Sequence, residues 1–457
     1  MSNSDTPFVR DGRTLREWML QLVSPDRSQR RAAENAISAM LYGLPTADSA
    51  FADSTIKDHE GYRAAFYGAI EAVGGDASFP GRTFVPAAVE RMLTAHRERM
   101  ETVRAENALT DEWMDAPGDP TENPAIVARM EQLKRRKIEE HVGRGRVSFG
   151  DQTLNLVFKY LGRALLAAPD AVHQALADPV VASSVTDGLK RLGPAAIQYA
   201  ETFIDQLDRS TEWFRYADVL GAIGRGSVQV VDAMIVRMRQ AWGTVRGGAI
   251  ATLGSMGPDV AGRESEIISM LIAIVKNPDD DARDTALAAL GSVGRNSEDA
   301  LALVIDCAAP RPARMRKVPD TQYEYDEVMF RRGVALSALG NFVRFAGRAT
   351  PVLVDALDSF AEFDPDEMRD DDGGLGRVMD ALRKLGPGAT AAAPDLAKRL
   401  RADDGDVRWG IVRALGDMGP PASAALPALE QLRRELEAED DESNENPVSK
   451  AIRQIRA

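Results

Sequence analysis

Apolar residues in this chain recur every three or four positions, interrupted by glycine and proline, and no strand-length run alternates between apolar and polar. The pattern is clearest from residue 245 to 294, VRGGAIATLGSMGPDVAGRESEIISMLIAIVKNPDDDARDTALAALGSVG, which states one unit and then begins it again. Val245-Arg246 precedes Leu253-Gly254 at the offset by which Ala282-Arg283 precedes Leu290-Gly291. Each half closes on a second glycine, Gly257 or Gly294, where a left-handed residue is expected to stop the helix. Between the closures a second apolar run, Ile267 to Val275, ends at Asn277-Pro278. The unit reads as helix, tight turn, helix, turn. Such a pair cannot bury its apolar face alone, so copies are expected to stack and share a core.

Taken in order, residues 1–12 read as a polar lead-in, and Leu15, Trp18, Met19 and Leu22 place the first apolar stripe on one helical face. Ser24-Pro25 stops that helix, and Ile37, Ser38, Met40 and Leu41 in the next match Leu253, Gly254, Met256 and Gly257. Another match surrounds Ile70, Val73 and Gly74, and Val85 to Met100 supplies its partner helix. Charge and three closely spaced prolines in APGDPTENP then mark 97–148 as an insertion, with a short helix expected from Pro124. From Thr153 the closures fall at Gly162, Gly193, Gly224, Gly257 and Gly294, 31 to 37 residues apart. Two further insertions, PRPARMRKVPDTQYEYD after Ala309 and the acidic DPDEMRDDDGG, separate the later copies ending in ALGNF, ALRKLGP and ALGDMGP. The expected organisation is 13–96 N-terminal repeats, 97–148 charged insertion, 149–307 central repeats, 308–326 basic loop, 327–436 C-terminal repeats and 437–457 acidic tail with a terminal helix.

These units resemble HEAT repeats, nearest the bacterial variety that reads D-x-x-V-R-x-x-A-x-x-A-L-G-x-x-G-P. The resemblance is strongest over Asp279 to Gly294 and Asp403 to Pro420, good over Val245 to Pro258, and covers about three quarters of the chain. It implies an all-α fold, an α-solenoid of stacked HEAT-like (armadillo-like) helix pairs, and a binding or scaffolding role. It also implies polar ladders between neighbouring units, placed here on Arg30, Arg246, Asp281, Arg283, Arg332, Asp406 and Arg408.

Composition narrows the function. The formal net charge of -14 argues against a surface devoted to polyanions. The single cysteine, Cys307, excludes an internal disulfide and a cysteine metal cluster, and its apolar setting reads as a buried thiol. No apolar run is long enough to span a membrane, and the chain is expected to be soluble and cytoplasmic.

Enzymatic chemistry finds little support. Some HEAT-like enzymes hold iron with several His-Glu pairs, whereas here the four histidines, His59, His96, His141 and His173, are scattered and only His59-Glu60 forms such a pair. GAIGRGS at Gly221 to Ser227 follows no strand and lacks a GK[ST], so its glycines are assigned to helix closure. Trp213, Trp242 and Trp409 would suit the groove of a HEAT-like DNA glycosylase but are better read as packing, and no residue argues for a bilin lyase.

Two basic clusters stand out: Arg129, Lys134, Arg135, Arg136, Lys137, Arg144 and Arg146, and Arg311, Arg314, Arg316 and Lys317. The reading is a non-enzymatic scaffold or adaptor, without cofactor or metal, that binds another protein. The alternatives are nucleic-acid binding through the basic insertions and a HEAT-like enzyme. The candidate contact residues are the cations ending successive second helices: Arg237, Arg239, Lys276, Lys398, Arg399, Arg401, Arg433 and Arg434. They are expected to form a row that meets an acidic segment, either a partner's or the chain's own Glu437 to Glu445 stretch.

Overall fold

The structure, a computed structural model, describes residues 8–41, 59–115, 128, 149–209, 213–309, 322–361, 374–400, 405–437 and 447–457. The chain divides into two compact units, Met1–Gln198 and Tyr199–Ala457.

The first unit opens on a two-residue antiparallel pair, Val9–Arg10 with Arg13–Thr14, turned by Asp11 and Gly12 at positive φ. Phe8, within the stretch read as a polar lead-in, is buried edge-on against Phe66 at 5.1 Å. Its contacts explain the difference: one aromatic anchors the short hairpin on the helix that carries Phe66. Helix α1 (Leu15–Gln21) begins in a capping box, in which Glu17 N–H donates to the Thr14 hydroxyl while Thr14 N–H donates to the Glu17 carboxylate at 2.7 Å. Next come α2 (Arg27–Leu41), α3 (His59–Gly75) and α4 (Gly81–Asp115). Helix α4 runs through residue 97, where the charge pattern placed the start of an insertion, because RERMETVRAENA contains good helix formers and neither Gly nor Pro. The helix expected from Pro124 lies outside the described residues.

Helices α5 (Phe149–Tyr160), α6 (Pro169–Leu176) and α7 (Pro179–Leu192) complete the unit. Helix α5 packs on α2, α3 and α7, and α4 packs on α6. A surface ladder ties three of these helices together. Tyr67 of α3 stacks on Tyr160 of α5 at 4.3 Å, the Arg191 guanidinium of α7 lies 4.4 Å from the Tyr160 ring, and Arg191 also pairs with Glu71.

In the second unit the helices are α8 (Ala200–Arg209), α9 (Trp213–Ile223), α10 (Val228–Gln240), α11 (Gly243–Met256), α12 (Glu264–Lys276), α13 (Arg283–Val293) and α14 (Glu298–Ala308). They continue as α15 (Gln322–Leu339), α16 (Ala346–Ala361), α17 (Gly374–Leu385), α18 (Ala393–Arg399), α19 (Gly405–Met418), α20 (Leu426–Glu437) and α21 (Pro447–Arg456). Each odd-numbered helix packs on the next odd-numbered one, from α9 through to α21, and the even-numbered helices lie against them. This is an all-α solenoid of stacked helix pairs. Leu220, Leu253, Leu290, Leu339, Leu382 and Leu415, equivalent positions of successive units, are all fully buried.

A glycine follows five of these leucines, all but Leu382, and serves close helix approach. A Cβ built on Gly254 would lie 2.9 Å from the Ala289 Cβ of the next unit, and one on Gly291 would lie 2.6 Å from that of Ala338. The small residues let neighbouring odd-numbered helices touch nearly backbone to backbone. The second glycine behaves in two ways. Gly257 and Gly419, each followed by proline, take φ 64 and 68 with extended ψ, a conformation reserved in practice for glycine. Gly294, expected to do the same, has φ -84. It is held small instead by packing, since a Cβ there would meet Ala300 Cβ and Leu290 O at 2.6 Å.

Helix α21 closes the stack. Its Val448, Ala451, Ile452 and Ile455 are buried against α19 and α20, and Ala451 meets Gly416 as Ala289 meets Gly254.

Candidate interaction edge

Each even-numbered helix of the second unit is followed by the odd-numbered helix of the next pair, so the ends of the even-numbered helices and the starts of the odd-numbered ones lie along one edge. At that edge the arginines of three successive units each cap the helix before them. Arg246 Nε donates to the Met238 carbonyl at 3.1 Å, Arg283 Nε to Val275 at 2.7 Å, and Arg332 Nε to Ala308 at 3.1 Å. These carbonyls belong to the last turns of α10, α12 and α14, where a helix presents unsatisfied acceptors and the negative end of its dipole. The ladder implied by the resemblance is therefore chiefly arginine to carbonyl. Its carboxylate partner is also shifted by one residue, because Arg246 pairs with Asp280 at 2.8 Å rather than with Asp281. Asp280 faces inward because its Oδ1 also accepts the Ala282 N–H. Arg332 is buried, and desolvation lowers its pKa. In the first unit Arg30 donates to the carbonyls of Ser24 and Pro25.

The candidate cations lie at this edge and are partly engaged. Arg237 grips Asp208 with two bonds of 2.7 and 2.6 Å, which raise its pKa further. Arg239 bonds Glu266, which Arg263 also holds at 2.6 Å while reaching Asp232 of α10. Lys398 pairs with Asp395 at 3.0 Å, and Arg434 Nε donates to the Glu430 carbonyl at 3.3 Å. Arg399 and Arg433 are half-buried. Lys276 is exposed, and among the described residues no acid pairs with it. Arg401 and both basic clusters lie outside the described residues, as does 438–446.

Hydrogen bonds from Arg263 and then Arg239 hold the Glu266 carboxyl below its ordinary value of 4.5. A carboxyl whose folded pKa lies below its unfolded one stabilises the fold above the unfolded value, and that stabilisation is lost as pH falls through the folded value. Below about pH 4.5 the thermal midpoint of the wild type should therefore fall more steeply than that of Glu266→Gln. Equal slopes in a dichroism-monitored pH series would remove this pair from the acid response.

Other sequence candidates resolve structurally. Gly221 lies inside α9 against the Ser255 side chain, 2.2 Å from an added Cβ, and GAIGRGS covers the last residues of α9 and the turn after it. His96 Nδ1 meets Asp178 at 2.7 Å in the first unit, and Cys307 is buried. Among the described residues no three His, Cys, Asp or Glu converge as a metal site, and no helix is long and apolar enough to cross a membrane. Sequence reasoning also read Trp242 wrongly. Assigned to packing, it is 83% exposed, and Phe214 is 56% exposed. Trp242 is the N-cap of α11, immediately after α10 ends, so its backbone is fixed by the turn while its ring has no helix row to enter.

The helix pairs define the class, an α-solenoid repeat protein, on the contacts of this chain alone. No family model matches the sequence, and no curated protein is significantly similar to it. Among solved structures, the karyopherin Kap121p bound to the SUMO protease Ulp1p is 12% identical, with 92% of this chain and 47% of that chain covered and a TM-score of 0.39. The chain thus spans about half the length of that karyopherin. An engineered protein covers 97% of this chain and 99% of its own at 14% identity and a TM-score of 0.29. A structure from work on the cadherin and beta-catenin interaction covers 97% and 93% at 14% identity and a TM-score of 0.32.

Proposed function

We propose that this chain is a non-enzymatic scaffold or adaptor of the HEAT type, and that the edge where even-numbered helices end binds an acidic segment of another protein. The observation that supports this reading most is the placement of Arg237, Arg239, Lys276, Lys398, Arg399 and Arg434 along one edge of the second unit in a chain of net charge -14. Helix dipoles favour cations in last turns by about 0.3–1 kcal/mol, which accounts for each cation singly. Stacking is what brings them into register. The internal partners of Arg237, Arg239 and Lys398 are surface acids, and exposed pairs contribute roughly 0–1 kcal/mol, so a multivalent acidic partner can displace them.

The test is binding of a fluorescent ten-glutamate peptide and of a DNA duplex at 50 and 200 mM salt. The acidic peptide should bind at low salt, and Lys276→Glu combined with Arg399→Glu and Arg401→Glu should weaken it at least tenfold. Duplex binding with a steep salt slope would favour the nucleic-acid alternative. If charge reversal changes nothing, the row is only a set of helix ends.

A further inference from the structure

The odd-numbered helices of the second unit share an outward face, and its chemistry changes along the stack. Counted from the buried leucine of each unit, the positions two before, one after and two after carry only Ala, Gly, Ser and Asn in the units of α11, α13 and α15. On α17, α19 and α21 the same positions, taken from Leu382, Leu415 and Ile452, bring five cations, Arg383, Lys384, Arg413, Lys450 and Arg453, all of them exposed. The acids among them are Asp380 and Asp417, and Arg383 lies 3.5 Å from the first and 3.7 Å from the second. That contact also joins α17 to α19. Helices α19 and α21 meet on the same face, because a Cβ built on Gly416 would lie 2.5 Å from Gln454 Oε1. Arg413 lies one turn before Asp417 and Lys450 one turn before Gln454, so both stand on that face. Among the described residues no acid pairs with Lys384, Arg413 or Lys450.

Local causes leave two of these cations unexplained. The helix dipole favours Lys384 and Arg453, which lie in last turns, but Arg413 is in the body of α19 and Lys450 occupies the first turn of α21, where the dipole opposes a cation. Solubility is served equally by acids, which the chain holds in excess, yet residues 447–457 contain none. We infer that this face of α17, α19 and α21 is a docking surface for a short acidic segment of a partner protein, lying across the three helices. Axes of packed helices are about 8–10 Å apart, so crossing all three takes roughly 16–20 Å, or about five or six residues of extended chain. Carboxylates of such a segment meet unpaired ammonium and guanidinium groups on packed helices, and the Arg413 fork suits bidentate contact. A nucleic-acid duplex fits less well, because its phosphates continue at about one charge per 1.7 Å and would run onto the uncharged α15 side of the face. The surface shares no residue with the edge where even-numbered helices end, and it stands without that reading.

The experiment first neutralises the edge, in the full chain carrying Lys276→Gln, Arg399→Gln and Arg401→Gln, and then titrates a fluorescent hexaglutamate peptide bearing a benzophenone at 50 mM salt. Binding should persist, and adding Arg413→Glu with Lys450→Glu should weaken it at least tenfold, with Gln at both positions giving a smaller loss. Photo-crosslinks should map to 405–418 and 447–457. Because Arg413 and Lys450 are exposed, their replacement leaves the core intact, which an unchanged thermal midpoint verifies. Loss of all binding in the edge variant would overturn this inference and leave the edge reading standing. Binding that ignores the Arg413 and Lys450 substitutions would overturn it as well. A DNA duplex that binds more tightly than the peptide and depends on the same two residues would replace the acidic segment with nucleic acid as the occupant. If the peptide binds only after Glu439, Asp440, Asp441, Glu442 and Glu445 are changed to Gln and Asn, the occupant is the chain's own segment, and the assignment to a partner is overturned.

Discussion

Truncating Leu290 to alanine should destabilise the second unit by about 2–5 kcal/mol, the range for emptying a fully buried leucine site that cannot collapse. Leu290 has no exposed surface, and both of its sides are closed. Gly291 holds α13 against Ala338 of α15, and Gly254 holds it against α11, so neither neighbour has slack with which to fill the void. The effect should also be local, since a solenoid unit contacts only its neighbours. In hydrogen exchange, amides of α11 to α15 should lose protection in Leu290→Ala, whereas Leu415→Ala should loosen α17 to α21. Uniform acceleration along the chain in either variant would contradict nearest-neighbour stacking.

Removing residues 447–457 should have a second large effect. Val448, Ile452 and Ile455 would leave a face of α19 and α20 uncovered, and burial of such side chains contributes roughly 1.5–3 kcal/mol each as an upper estimate. The Arg456 pair with Glu430 would go too, although its surface position makes it a minor contributor. The truncated chain should lose protection in 405–437 and associate through the exposed face, because an uncapped repeat array presents an unpaired apolar layer. Light scattering and exchange on the truncated chain test this. A monomer with wild-type protection in α19 would mean that α21 is dispensable.

Much of this fold is legible in the sequence. The leucine-glycine spacing gives the helix pairs, and a run such as VSKAIRQIRA carries the stripe that docks α21. What could not be read was the reason for each glycine. Gly257 and Gly294 occupy the same place in the pattern, yet one is required by backbone conformation and the other by a neighbour's methyl group. The distinction rests on the following proline and on a contact with Ala300, six residues on. The candidate edge was legible as a set of cations, because last turns can be counted from the pattern. The pairing of Arg237 with Asp208 and of Arg239 with Glu266 was not, since it depends on where adjacent helices lie. Trp242 was misread for a related reason: composition makes tryptophan a core residue by default, and only the turn geometry shows that the ring has no core to enter.

The arginine that reaches back to the preceding helix also has a kinetic consequence. Arg246, Arg283 and Arg332 join the end of one helix pair to the start of the next across a short stretch of chain. Such a clasp can form only after two consecutive helices exist, yet it requires no distant part of the molecule. Assembly can then proceed by zippering, each completed pair offering the template on which the next is ordered, and α9 and α17, which carry Trp213 and Leu375 where α11, α13 and α15 carry this arginine, are places where that propagation lacks the clasp.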